Sequence, residues 1–308
     1  MPLPNRWRWL RSLAAFLFIG FAVAVVASQW NEMKTAAATA QLTWWRIAAA
    51  TLAVLFAYAL LIETWRRTVA AWGERLDWTA ATRIWFISNL GRYVPGKIWQ
   101  IGAMGVLAQE RGVSPVAATG SAVVVNIVSV IAGFGVVAAT GGRVLARYAG
   151  EVVALGTVLV VVLLLLPLGM ASGTRLYRRM TGRELNLGSL PPRALIVALV
   201  GTTAAWLLYG LAFRWFALGV GLGGAGGVAS YTAAYTLSYL LGYLVLLAPG
   251  GIGVREGALV ASMTQLGLAS VGEATVVAVT SRLWLTALEV APGVLLIALG
   301  AARSKVQR

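Results

Sequence analysis

The sequence predicts an all-α integral membrane protein with about six transmembrane helices plus two re-entrant helical hairpins in an inverted repeat. Three observations carry this expectation: the composition, a set of long apolar stretches, and two regions where a Pro-Gly break and cations interrupt apolar chain. The 308 residues are 59% hydrophobic and 11% charged, with a mean hydropathy of +0.81. A soluble domain of this length lacks the interior to hide so much apolar surface. Lys+Arg number 25 against 10 Asp+Glu, a formal charge of +15. Because these cations fall mainly between apolar stretches, they read as membrane orientation and contact with anionic headgroups, and nucleic acid is not expected as a partner. Cysteine and histidine are both absent. That removes disulfides, thiolate and imidazole metal sites, and nucleophilic mechanisms with a histidine base. No metal or cofactor is expected.

The start, MPLPNRWRWLR followed by LAAFLFIGFAVAVVAS, reads either as a secretory signal or as an uncleaved first helix. The second is favoured because more spans follow. Stretches long enough to cross roughly 30 Å of hydrocarbon at about 1.5 Å per residue are Leu13–Trp30, Trp45–Ile62, Pro115–Thr140, Val152–Ala171, Ala194–Phe213 and Ala274–Gly300. Trp44, Trp45 and Trp65 bracket the second of these as an interfacial aromatic belt does.

Two regions fit no simple span. One is Ile84–Ala108, which holds NLGRYVPGKIWQ. The other opens with the run Trp215–Val254, which as one helix would be about 60 Å long, twice the membrane. Its glycine cluster, Gly219 to Gly227, must therefore turn the chain. Both regions follow a conventional span and share an order of parts: an apolar arm, a Pro-Gly break with charge beside it, a small-residue helical arm, a Gly and Ser turn, then a long span. The single membrane domain, 1–308, is thus expected to hold a first repeat over about 13–140 and a second over about 152–300.

Charge tests this arrangement. If both regions dip in and leave on one side, six spans put both termini in the cytoplasm. Sixteen Lys and Arg then lie inside against five outside, as positive-inside orientation requires. Arg92, Lys97, Arg255 and Arg282 are left at membrane depth, and the two hairpins enter from opposite sides, as in many secondary transporters. The expectation is weakest at Tyr231–Leu247, long enough nearly to cross alone.

Cations in hydrocarbon cost several kcal/mol and normally face a polar cavity. Pro95-Gly96 and Pro249-Gly250-Gly251 each free backbone amides, and a helix starting after such a break aims its positive end at the gap. Arg92, Lys97 and Arg255 are expected to converge there on an anion, a phosphate first of all. The alternative is two ordinary basic loops. Glu256 either receives a cationic headgroup group such as an amine, or forms a local ion pair or cap that neutralises Arg255. Arg282 and Glu289, seven apart on one helix, either line the cavity or neutralise each other.

The segments SNLGRYVPGKIWQ and LAPGGIGVREGAL resemble the signature segments of the lysylphosphatidylglycerol synthase transmembrane-region family, the flippase part of MprF-type proteins. The resemblance implies a polytopic inner-membrane protein, of bacterial type, that moves a lipid with a charged headgroup between leaflets. By position it points to Arg92, Tyr93, Pro95, Gly96 and Lys97, and to Pro249, Gly250, Gly251, Gly253, Arg255 and Glu256. MprF-type proteins continue into a soluble aminoacyl-transferase domain, whereas this chain stops at SKVQR, so no lysyl-lipid synthesis is expected of it. The substrate is left between an aminoacylated phosphatidylglycerol and a polyprenyl-phosphate-linked lipid. Rival readings are a non-transporting partner of a separate synthase or glycosyltransferase, and a membrane transferase using Glu256 or Glu289. Whether the chain forms a homo-oligomer is left open.

Other signals take weaker readings. Asn126, Ser121 and Ser129 either meet a headgroup or join helices. Glu63 with Arg66 and Arg67 reads as an interfacial charge cluster. Gly221, Gly223 and Gly226 satisfy G-x-G-x-x-G, but no strand precedes them, so a dinucleotide site is dismissed. Asp77 is the only aspartate, and no carboxylate pair has the spacing of a metal or glycosidase site.

Overall fold

The structure is a computed structural model that describes residues 35, 38, 41–93, 98–142, 158, 161, 165, 192–224, 226–245 and 251–306. Its regular elements are helical: α1 (Trp44–Ala70), α2 (Trp78–Asn89), a 3-10 turn (Leu90–Tyr93), α3 (Ile98–Gln109), α4 (Pro115–Thr140), α5 (Pro192–Gly219), α6 (Val228–Leu244), α7 (Val254–Gln265) and α8 (Val271–Val306). Four of them, α1, α4, α5 and α8, are long and apolar enough to cross a membrane. The expected spans Leu13–Trp30 and Val152–Ala171 lie outside the described residues, the second apart from isolated positions.

Helix ends follow local chemistry. Pro115 opens α4, where its missing N–H costs nothing, and Ser114 Oγ accepts the amide of Ala117. Asp77 caps α2 by accepting from Ala80 N at 2.9 Å. Ser270 and Glu273 form a reciprocal box at the start of α8: the carboxylate accepts from Ser270 N, and Ser270 Oγ accepts from Glu273 N. At 36 residues α8 is longer than its expected span and carries Pro292 within it.

The α1–α5 pair fixes the frame. Thr43 N, just before α1, donates to Gly219 O at the end of α5 at 2.7 Å. Further along, Gly201 of α5 leaves room for Thr64 near the far end of α1; any Cβ there would collide with the Thr64 side chain. These contacts run in opposite order along the two helices, so α1 and α5 are antiparallel.

Each of these helices leads into a hairpin. After α1 the chain turns through 71–77, α2 climbs about 18 Å over 12 residues, and α3, also 12 residues, returns. Glu74, before α2, accepts from the amide of Ser114, after α3, at 3.2 Å. Both ends of this hairpin therefore sit at the carboxyl end of α1. After α5 come Gly221, Gly223 and Gly226, all at positive φ, where the chain turns as the sequence requires. The 17-residue α6 and the 12-residue α7 follow. Gly226 is packed against Leu268, which follows α7, so both ends of the second hairpin sit at the carboxyl end of α5. That end lies opposite the first hairpin, because α1 and α5 are antiparallel. Two oppositely hung hairpins are the inverted arrangement predicted from sequence. Of the segment Tyr231–Leu247, the part up to Leu244 belongs to α6 (Val228–Leu244), and α7 returns to the side from which α6 starts.

Contacts across the fold repeat in pairs. α2 packs on α8 and α6 packs on α4, each through a glycine of the long helix: Gly293 against Phe86 O and Leu90, Gly133 against Leu240 and Trp206. The core runs between α1, α5 and the hairpins, with Tyr58, Trp65, Phe213 and Tyr231 all at most 2% exposed. Leu52 and Phe56 of α1 face outward, as lipid-facing side chains do.

Candidate functional site

The two hairpins approach each other beside the middle of α1 and α5. Tyr58, near the midpoint of α1, contacts Trp85 and Phe86 of the first hairpin with ring centroids 5.2 and 5.9 Å apart, and Tyr209 of α5 at 6.2 Å. Tyr209 in turn stacks on Tyr235 of the second hairpin at 5.8 Å. A cleft with an empty volume of about 1010 Å³, including its part open to solvent, lies among these rings. It adjoins a pocket of about 690 Å³ with which it shares Arg92, Gln100, Asn126, Tyr239, Arg255 and Glu289.

Both hairpins bring a polar residue to the wall by the same device. Gly91 lies so close to the returning arm that a Cβ would stand 2.9 Å from Gln100 N. In the second hairpin a Cβ on Gly242 would stand 2.8 Å from Arg255 Cβ, and one on Gly251, at φ +72°, would stand 2.7 Å from Gly242 O. Backbone on backbone thus sets Gln100 and Arg255 facing the cleft. Gln100 Nε2 also donates to Asn89 Oδ1 across the first hairpin.

Arg255 is 8% exposed. Its guanidinium lies over the rings of Tyr239 and Tyr235, 4.9 and 5.3 Å from their centroids, and Nη2 donates to Tyr235 Oη at 3.3 Å. A desolvated cation on an aromatic face gains about 2 kcal/mol, which offsets part of its burial cost. Arg92 Nη1 donates to Glu289 Oε1 at 2.7 Å. Arg282 Nε stands 3.7 Å from Glu256 Oε1, and Glu256 Oε2 accepts from Gly253 N at 2.7 Å.

Of the residues predicted from sequence, Arg92, Arg255, Arg282 and Glu289 line one pocket. Arg282 and Glu289 both border it, with Glu256 and Arg92 as their ion-pair partners. Glu256 acts as a local cap: its carboxylate takes the orphan amide of Gly253 at the first turn of α7 and stands beside Arg282. That amide is therefore taken by an internal carboxylate and is not held open for an external anion. Gly251 and Gly253 occupy the turn into α7 at positive φ. Tyr93 ends the 3-10 turn. Pro95, Gly96, Lys97, Pro249 and Gly250 lie outside the described residues. Asn126 and Ser129 line the cleft, whereas Ser121 is fully buried in helix packing. Glu63 forms the expected cluster, with Arg66 Nε at 2.8 Å and Arg67 Nε at 2.6 Å.

Sequence reasoning missed the aromatic wall. Tyr231, Tyr235, Tyr239 and Tyr243 recur every fourth residue in α6, a stripe on one helical face. That spacing was the available signal.

Helices of membrane-spanning length, two oppositely hung hairpins and a charged cleft between them define a multi-pass, all-helical membrane protein. The chain belongs to the family described as the lysylphosphatidylglycerol synthase TM region, which matches residues 9–293. It is accordingly a lipid-related membrane protein, and the match bears out the resemblance of its two Pro-Gly segments. No curated protein matches the chain.

Proposed function

We propose that this protein is a lipid translocase. It takes the phosphate headgroup of a lipid, an aminoacylated phosphatidylglycerol or a polyprenyl-phosphate-linked lipid, into the cleft between the hairpins. The chains stay in the bilayer, and rocking of the two repeats, about 13–140 and 152–300, opens the cleft to the other side. No covalent step is involved. The observation that carries the reading is the lining of one mid-depth pocket by Arg92, Arg255 and Arg282 against a single carboxylate, Glu289, among the described residues. Guanidinium groups suit phosphate because their planar fork matches its oxygens.

Orientation follows from charge. The carboxyl end of α1 gathers Arg66, Arg67, Arg75, Arg111 and Arg193, while Arg46 and Arg214 mark the other end. The first end is cytoplasmic by this reading, in a bacterial-type inner membrane with both termini inside.

The test is reconstitution into vesicles holding tail-labelled NBD-phosphatidylglycerol, with dithionite reduction from outside. Protein-containing vesicles should lose well over half of the fluorescence, and Arg255→Ala should slow the second phase at least tenfold with helicity unchanged. Protection equal to that of protein-free vesicles would overturn translocation and leave the role of a non-transporting partner.

A further inference from the structure

We infer that the apolar groove beside the charged pocket, lined by Ile101, Val123, Ile127, Val130 and Ile131, holds one hydrocarbon chain of the lipid whose phosphate sits in that pocket. The groove is the lateral port that keeps headgroup and chain joined. The inference rests on the translocase reading for the pocket's identity as a headgroup site, and it deepens that reading by giving the chain a place.

The groove exists because two hairpin arms part along one helix. A Cβ on Gly105 of α3 would stand 3.2 Å from Thr119 Oγ1 of α4, and one on Gly133, further along α4, 3.1 Å from Leu240 of α6. Between these two crossings a strip of α4 lies open, edged by Ile101 of α3 and Tyr243 of α6. Val123, Ile127, Val130 and Ile131 fall there at i, i+4, i+7 and i+8, on one helical face. The strip is about 12 Å long and lies at the middle of α4 (Pro115–Thr140), so it faces hydrocarbon and not headgroups. β-Branched side chains in a helix keep one χ1 rotamer, which holds the wall in shape.

Continuity with the pocket names the occupant. Ile101, Asn126 and Tyr243 line both the groove and the charged pocket. At that border Asn126 Nδ2 donates to Ala122 O at 2.8 Å, and its Oδ1 accepts from Tyr243 Oη at 3.4 Å. Both ends of the amide are engaged within the protein, which lowers the cost of placing hydrocarbon beside it. A phosphate at Arg92, Arg255 and Arg282 thus has an apolar way out for the chain it carries. A second copy of the protein fits this place less well. Five side chains along about 12 Å fall short of the roughly 800 Å² per partner of a stable interface.

The test uses the wild-type protein in phosphatidylcholine nanodiscs that contain a phosphatidylglycerol with a photoreactive diazirine in one chain. Mass spectrometry identifies the cross-linked residues. Leu52 and Phe56 of α1, 68% and 61% exposed against 40% for Val123, report casual lipid contact. The groove residues should be labelled at least fivefold more than these two, against the order of exposure. Excess unlabelled phosphatidylglycerol should remove the groove signal, and diacylglycerol with the same chains should not. Labelling that follows exposure would overturn the inference. Displacement by diacylglycerol as effective as by phosphatidylglycerol would do the same, since the chain would then lie there without a phosphate in the pocket. An unlabelled groove, as a second copy seated on it would produce, would also overturn it. No movement is measured, so a labelled groove without movement in the vesicle assay overturns translocation alone, and movement with an unlabelled groove overturns the groove alone.

Discussion

Arg92 Nη1 lies 2.7 Å from Glu289 Oε1, an ion pair that spans 197 positions of sequence and joins the tip of the first hairpin to α8 of the second half. Its side chains are 24% and 13% exposed, so the pair sits between a surface bridge, worth about 0–1 kcal/mol, and a buried one, whose breakage costs about 3–5 kcal/mol. Arg92→Met and Glu289→Leu should each destabilise the protein by about 1–3 kcal/mol, and the double variant should recover much of the loss. Thermal unfolding in detergent micelles measures the cycle. Simple additivity of the two single losses would show that the charges do not act on each other.

Arg255 depends on shape as well as charge. Its plane covers Tyr235 and Tyr239 and its Nη2 reaches Tyr235 Oη. Lysine keeps the charge but loses the planar stack and the fork. Arg255→Lys should therefore weaken binding of tail-labelled NBD-phosphatidylglycerol to the protein in nanodiscs by about tenfold, roughly 1.4 kcal/mol. Tyr235→Phe, which removes one 3.3 Å hydrogen bond and keeps the ring, should cost less than threefold. Equal affinity for Arg255→Lys and wild type would reduce the role of the arginine to charge alone.

Much of this architecture is readable in the sequence. Pro115–Thr140 was delimited residue for residue, because hydropathy, a proline at the first helical position and Ser114 before it agree. The hairpins were legible through arithmetic: too many apolar residues for one crossing and a Pro-Gly break in each. Pairing was not. Nothing local tells Arg92 that its partner is Glu289, or Glu256 that Arg282 of α8 stands beside it. The tyrosine stripe of α6 was passed over because hydropathy counts a tyrosine ring as part of the span and ignores the face it presents.

The second hairpin should be intolerant of a methyl group at one glycine and indifferent at another. A Cβ on Gly242 would stand 2.8 Å from Arg255 Cβ and 3.3 Å from its Cα, atoms that move only with the backbone. Gly257 has nothing within 4 Å of its Cβ position, and alanine suits a helix by about 1 kcal/mol. Gly242→Ala should lower the midpoint of thermal unfolding by several degrees and weaken lipid binding, while Gly257→Ala should leave both unchanged or raise the midpoint. Equal midpoints for the two variants would mean that the hairpin arms do not pack as closely as the backbone contacts imply.

Opposite entry of the hairpins is open to direct chemical test, since the chain contains no cysteine. Arg75 and Glu110 are exposed at the two ends of the first hairpin, and Gly224 and Ser270 are exposed at the two ends of the second. Single cysteines at the first two positions should share one labelling pattern with a membrane-impermeant maleimide in intact spheroplasts, and those at the last two should share the opposite one. With the arginine-rich end of α1 cytoplasmic, Arg75→Cys and Glu110→Cys are protected until lysis, while Gly224→Cys and Ser270→Cys react at once. A split within either pair would mean that its hairpin crosses the membrane, which would remove the approach of the two hairpins and the cleft between them.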